Sequence, residues 1–342
     1  MRRVLLCVFL VFMATTLAIA QTRVFELKLA HADSTDISVS RKHAQAVAFA
    51  DLVNTRSGGA INVKVYGGGA LGAEREYVES IKAGTVEAGI ASGVIANFFP
   101  SAMVTDIPFL FPSGEVAWKV LDGPFGDRMR AAFLKETGMR CLTFSEVGFR
   151  NFTNNVRPIR TPADMKGLKI RVQETPLYIT MIKALGASPT PIAFTELYTS
   201  LQTKVVDGEE NPIPTILMSK FAEVQKYLTL DGHNYGVDYF VINEKFYQSL
   251  PPDLQYVVLS SARISAAVGR GVQQLVAAEG VRALQDAKME VYAPTAAELE
   301  MFKQATQQPV IDWLKTKIDP KLIQEILQVV KDTVAQQNRD LK

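Results

Sequence analysis

The sequence predicts an α/β protein built as two lobes, with mostly parallel sheets and one long helix behind both. Three observations carry this. Alternating apolar segments take turns with helix-period segments between residues 24 and 91, the order that gives a parallel sheet with helices on its faces. The same alternation resumes after residue 150. Pro251 to about Lys288 then runs as a helix without an internal proline, and at ~1.5 Å per residue it exceeds ~50 Å, longer than one small lobe.

Met1-Arg-Arg is a basic head, Val4 to Ala20 is apolar, and Ala18-Ile-Ala20 is small. That describes a secretory signal peptide over residues 1–20, cleaved after Ala20. Its removal takes the formal charge from +2 to zero, because Arg2 and Arg3 leave with it. A neutral chain argues against nucleic acid. Cys7 lies in the leader, so the mature chain keeps Cys141 alone and forms no internal disulfide. About 320 remaining residues suffice for two compact lobes.

Val24–Ala30 alternates as a half-buried strand, Ser40–Asn54 is a helix, Ile61–Tyr66 a strand, Glu74–Ala83 a helix and Val86–Ala91 a strand. Leu142–Gly148 reads as a strand that ends before Arg150. Thr161-Pro-Ala-Asp164 has the threonine, proline and acid of a capped helical turn. Leu168–Val172 is a strand, Thr175–Leu185 a helix, Ala187–Pro191 extended, and a helix starts at Thr195. Val237–Asn243 is a further strand, and the tail from Pro294 is helical to the end. Small residues on the long helix (Ser260-Ser-Ala, Ala266-Ala-Val) suit close packing on two partners.

Arg171 ends its strand where an open α/β sheet meets a ligand, and a guanidinium there offers a planar fork matched to a carboxylate. Arg150 follows another strand-like run. Asn211, in Val205-Val-Asp-Gly-Glu-Glu-Asn211-Pro212, both donates and accepts. Phe194 places an aromatic at the mouth of the intervening helix, as core or as pocket wall. Gly67-Gly-Gly-Ala-Leu-Gly72 contains a literal G-x-G-x-x-G, but Glu87 stands at the start of its strand rather than the end, so a loop is expected, not a dinucleotide site. His31 and Asp33 follow the first strand and edge a cleft; the three histidines have no metal-ligand spacing. No serine nucleophile motif occurs, and Cys141 reads as core.

Leu71-Gly-Ala-Glu-Arg-Glu, Gly148-Phe-Arg-Asn-Phe-Thr-Asn154, Met165-Lys-Gly-Leu-Lys-Ile-Arg171, Leu185-Gly-Ala-Ser-Pro-Thr-Pro-Ile-Ala-Phe194, Glu196-Leu-Tyr-Thr-Ser-Leu-Gln202 and Val206-Asp-Gly-Glu-Glu-Asn-Pro212 occur in this order. Together they resemble the extracytoplasmic solute-binding proteins of TRAP transporters, the DctP-like family, across essentially the whole mature chain. The resemblance implies a two-lobed periplasmic binding protein (Venus-flytrap) fold with mixed, mainly parallel sheets, crossing strands and a lobe-spanning helix. Residues 21–148 plus 237–275 would form lobe I, and 149–236 plus 276–342 lobe II.

By the same resemblance, Arg171 pairs with a ligand carboxylate, Arg150 supports it, Asn211 bonds it and Phe194 lies beneath the ligand. Glu74 and Ser92 read its distal end. Glu209, where glutamine is common, is a departure that adds an acid near the site. The retained Glu-Asn-Pro implies no metal, and no cofactor is expected. The expected partners are a small carboxylate ligand and the small and large membrane-embedded permease subunits, for a monomer in the periplasm. Ionised Glu74 favours hydroxyls over a second carboxylate, hence sugar acids such as hexuronates or aldonates ahead of C4-dicarboxylates, unless Arg75 points inward. The alternatives are an exported enzyme on acidic sugars, with Glu74 and His31 as its acid/base pair, or a sensory ligand-binding module.

Overall fold

The computed structural model describes residues 24–340; the expected leader and its cleavage site lie outside the described residues. In chain order the elements are β1 (Phe25–Ala30), α1 (Arg41–Arg56), β2 (Ile61–Tyr66), α2 (Glu74–Ala83), β3 (Ala88–Ala91), α3 (Gly114–Asp122), α4 (Pro124–Thr137) and β4 (Met139–Asn154). Then follow β5 (Lys169–Val172), α5 (Pro176–Ala184), β6 (Ser188–Pro191), α6 (Leu197–Gln202), β7 (Gly208–Pro212), α7 (Ile213–Met218) and β8 (Tyr227–Asn243). The chain ends with α8 (Glu244–Ser249), α9 (Pro252–Asp286), β9 (Glu290–Tyr292), α10 (Ala296–Leu314) and α11 (Pro320–Asp340). Among the described residues no helix is long and apolar enough to cross a membrane.

The helix starts are chemically marked. The Ser40 hydroxyl accepts from the His43 N–H (3.2 Å) at α1. Glu76 reaches back to the Ala73 N–H (2.9 Å) at α2. Asp164 accepts from the Thr161 N–H (2.9 Å) and caps the 3₁₀ turn Pro162–Met165, the capped turn expected there.

Two βαβαβ units share one topology. The first orders its parallel strands β2-β1-β3 and the second β6-β5-β7. They are joined by β4 and β8, which pair antiparallel from Met139↔Asn243 to Asn154↔Tyr227. β3 adds to β8 and β7 to β4, giving one continuous nine-stranded mixed sheet. Leu142–Gly148 and Val237–Asn243 are thus halves of longer strands, and Arg150 sits inside β4, between β7 and β8, not at a strand end or sheet edge. The strand continues because the ladder absorbs a register shift between Glu146 and Gly148. Gly148 takes φ +98° there and faces Gly236, whose missing Cβ would lie 2.7 Å from Val147.

The 35-residue α9 packs on α1 in the first unit and α7 in the second. A Cβ on Gly280 would meet Ile213 at 2.4 Å, so glycine allows the close approach here; of the small residues singled out from sequence, Ser261, Ala262 and Ala266 are buried. Leu27, Phe49, Ile90, Phe240 and Val258 belong to an apolar core between α1, α9 and the first unit's strands. Leu197, Ile216, Phe221 and Leu284 form its counterpart in the second unit. The opposite face is covered by one cluster running from Tyr77 and Phe133 to Tyr178 and Ile326.

The tail is not one helix. Residues 315–319 turn, and Pro320, which lacks an N–H to extend α10, opens α11. α10 packs on α5, but α11 returns to α3 and the 3₁₀ turn Pro100–Asp106, with Glu325 paired to Arg128. The range expected for lobe II, 276–342, thus includes a helix that packs on residues 100–122.

Candidate functional site

The C-terminal ends of the parallel strands converge on one cavity, as open sheets arrange their sites. All six side chains singled out from sequence line it: Glu74 at the start of α2, Ser92 after β3, Arg150 in β4, Arg171 near the end of β5, Phe194 after β6 and Asn211 in β7. Its empty volume is about 490 Å³, the open mouth included. Asp33, Arg41, Lys42, Gln173, Glu174 and Thr215 complete the polar lining.

The two arginines are buried but differ in company. Arg150 donates to both carboxylate oxygens and the carbonyl of Glu210, and Nη2 donates to Asn211 Oδ1 (3.1 Å). Burial opposes its charge, yet Glu210 outweighs burial and raises its pKa. Arg171 gives Nε to the Ile192 carbonyl (2.9 Å), and no carboxylate lies within ion-pair distance among the described residues. Burial, reinforced by the charge of Arg150, lowers its pKa to about 10. Arg171 thus lines the cavity as a cation anchored through Nε.

The opposite wall is an ion cluster. Arg41 donates to Asp238 (2.9 Å) and Asp33 (3.2 Å). Lys42 pairs with Glu74 and lies 3.4 Å from Asp238 and 3.7 Å from Asp33. Burial opposes the charge of Lys42, but Asp238, Glu74 and Asp33 together outweigh it and raise its pKa. Ser92 donates its hydroxyl (3.1 Å) and N–H (3.3 Å) to Glu74. Three carboxylates against two cations leave this cluster at −1; opposite it Arg150, Arg171 and Glu210 sum to +1, and the Glu174 carboxylate lines the cavity on that side as well.

Several other sequence candidates resolve differently. Arg75 points outward and pairs with Glu79 (3.2 Å). Glu209 does not line the cavity; it accepts from Thr153 (2.7 Å), and burial raises its pKa to about 7. Asp33 edges the cleft, but His31 is fully buried against His43 (3.0 Å), and burial lowers its pKa to about 3. The Glu74–His31 acid/base pair is therefore not assembled in the cleft. In the Gly67–Gly72 segment Gly67 packs closely, since a Cβ there would meet the His31 ring at 2.7 Å, whereas a Cβ on Gly68 would meet nothing within 4 Å. Burial pushes the Cys141 thiol up to about 12, which fits a core residue. Among the described residues no group of three His, Cys, Asp or Glu side chains could hold a metal ion.

Sequence reasoning missed Lys42, Arg41, Asp238, Gln173 and the Glu210–His233–Asp231 set behind Arg150. His233 lies 2.8 Å from Asp231 and 3.3 Å from Glu210. One signal was available. Lys42 stands four residues before Ala46 and seven before Phe49, on the buried stripe of α1.

Comparison with known proteins gives a consistent picture. The sequence profile of bacterial extracellular solute-binding protein family 7, DctP, matches residues 34–316. A solute-binding protein of Verminephrobacter eiseniae is 40% identical over 75% of this chain and 77% of its own. The 2,3-diketo-L-gulonate-binding periplasmic protein YiaO of Escherichia coli is 37% identical over 65% of this chain and 68% of its own. The solved sugar acid binding protein DctPAm of Advenella mimigardefordensis, in complex with galactonate, superposes with a TM-score of 0.87 at 33% identity, covering 91% of this chain and 99% of that one.

Proposed function

Because the chain belongs to bacterial extracellular solute-binding protein family 7, the DctP family, a family of transporter binding components and not of enzymes, we propose that it captures a hydroxylated monocarboxylate, an aldonate or hexuronate, and delivers it to a TRAP permease. The observation that carries this reading is the unequal charge of the two cavity walls. A ligand carboxylate takes the open fork of Arg171 and offsets the cost of a buried unpaired guanidinium. Arg150, held by Glu210, and Asn211 back the same anion, and Phe194 forms the wall beneath it. At the far end Glu74 and Ser92 meet hydroxyls, which donate to a carboxylate. A second carboxylate there would face a wall that is already negative, so C4-dicarboxylates rank below sugar acids.

In this reading the lobes are residues 24–148 plus 237–275 and 149–236 plus 276–314, pivoting at Gly148 and Gly236. The ligand biases them toward closure. The protein acts as a periplasmic monomer that docks on the small and large membrane subunits. The sugar-acid ligands named for YiaO and DctPAm support the ligand class. A melting-temperature screen tests it, since a ligand bound to the native form alone raises the transition. D-Galactonate, D-erythronate or D-galacturonate should raise it more than succinate. A larger shift with succinate overturns the ligand class.

A further inference from the structure

Two hydrogen bonds bridge the units beside the cleft. The Gly93 N–H donates to Gln173 Oε1 (3.2 Å), and the Asn97 side-chain amide donates to the Glu174 carbonyl (2.7 Å). Gly93 and Asn97 bound the 3₁₀ turn that follows β3; Gln173 and Glu174 follow β5. Each contact abuts a site residue. Ser92, bonded to Glu74, immediately precedes Gly93. Arg171 stands two residues before Gln173 on the same short strand end.

We propose that these contacts form a latch in which Gln173 is the positioning residue that ties an anion on Arg171 to closure over Glu74. This rests on the ligand reading above and adds how both ends of the ligand are sensed together. An anion seated on Arg171 fixes the end of β5 and with it the Gln173 carboxamide. A hydroxyl seated on Glu74 fixes Ser92 and with it the Gly93 N–H. The first N–H groups of a 3₁₀ turn have no partner inside the turn. Closing the cleft without an acceptor at Gly93 would bury a bare donor. Gln173 supplies that acceptor. A Cβ at residue 93 would lie 2.8 Å from Gln173 Oε1, so the carboxamide would have to leave its place beside the Gly93 N–H. Asn97 is exposed and does not line the cavity, so its share of the latch can be removed without touching ligand.

The test is stopped-flow binding to the wild type, Asn97→Ala, Gln173→Ala and the double variant. The probe is whichever of D-galactonate, D-erythronate, D-galacturonate and succinate raises the wild-type melting temperature most. Asn97→Ala should raise the dissociation rate by about three- to ten-fold, the loss of one net hydrogen bond, with the association rate and the unliganded melting temperature unchanged. The double variant should lose more than either single one. Gly93→Ala should match Gln173→Ala. Wild-type dissociation rates in the variants, with a wild type that binds, overturn the latch alone. A lower unliganded melting temperature with both rate constants changed assigns the residues a merely structural role and overturns it as well. A wild type that binds none of the four acids sinks the ligand reading and the latch with it.

Discussion

Arg150 and Arg171 line the same cavity, and only Arg150 already holds a carboxylate, that of Glu210. The asymmetry assigns them different duties. Arg150 is braced by the protein, and Arg171 is the one proposed to take the ligand.

Arg171→Ala should therefore lose about 2–5 kcal/mol of binding, as for one partner of a buried charge pair. Arg171→Lys should also bind poorly, because a point charge cannot make the bidentate fork. Titration calorimetry with D-galactonate checks both, and near-normal affinity in either variant removes Arg171 from the site. Without ligand, Arg171→Met should keep or raise the melting temperature, since it deletes an unpaired buried cation.

Arg150→Met should behave in the opposite way. It leaves Glu210 buried without its main counter-ion, a loss of about 3–5 kcal/mol in folding stability. Adding Glu210→Gln should restore much of that in urea unfolding. An additive double variant would show that the pair does not act as a unit.

Glu74→Gln tests the charge of the distal wall. The amide accepts more weakly from ligand hydroxyls and removes the wall's negative excess. Affinity for D-galactonate should fall about ten-fold, near the ~1.5–3 kcal/mol of a charged hydrogen bond. Affinity for succinate should rise relative to it. An unchanged ratio between the two acids counts against Glu74 as the discriminating group.

His233 makes stability depend on pH. Burial disfavours its charge, but Asp231 and Glu210 outweigh burial and raise its pKa to about 9. The folded protein thus keeps a proton that the unfolded chain releases near pH 6.5. That contribution is fully present below about pH 6.5 and is lost as pH rises through about 9. Urea unfolding should show stability falling between about pH 7 and pH 9, and His233→Gln should flatten this slope. An equally steep slope in the variant would exonerate the histidine.

Gly208→Ala probes the strand that carries Asn211. A Cβ at residue 208 would lie 2.1 Å from the Thr153 carbonyl, so β4 and β7 must part. We expect a loss of about 1–3 kcal/mol in stability together with weaker binding, because the same ladder sets Glu210 and Asn211. Unchanged melting would mean that the ladder tolerates the insertion.

Much of this arrangement was legible in the chain. Apolar periodicity marked both βαβαβ units, and the proline-free run marked α9, because burial of one face sets those patterns. The placement of Arg171, Asn211 and Phe194 on the cavity was legible because they lie at or just beyond strand ends, where sheet topology delivers side chains to a common edge. The continuation of β4 through Gly148 was not, since a bulge interrupts the alternation that identifies a strand. Nor was the role of Lys42. Its charge reads as a solvated helix face, and what buries it are Asp33, Glu74 and Asp238, the last of them 196 residues away. Glu210 was hidden for the same reason: its significance lies in a partner on a neighbouring strand.

The free fork of Arg171 also bears on traffic at the membrane. In the proposed reading, a shut carrier without cargo would hold the Arg171 guanidinium away from solvent with no carboxylate in ion-pair reach, which would disfavour the cargo-free shut form. A permease that receives shut carriers would then meet loaded ones almost exclusively, and the distinction between full and empty would be made inside the cleft before any docking surface is reached.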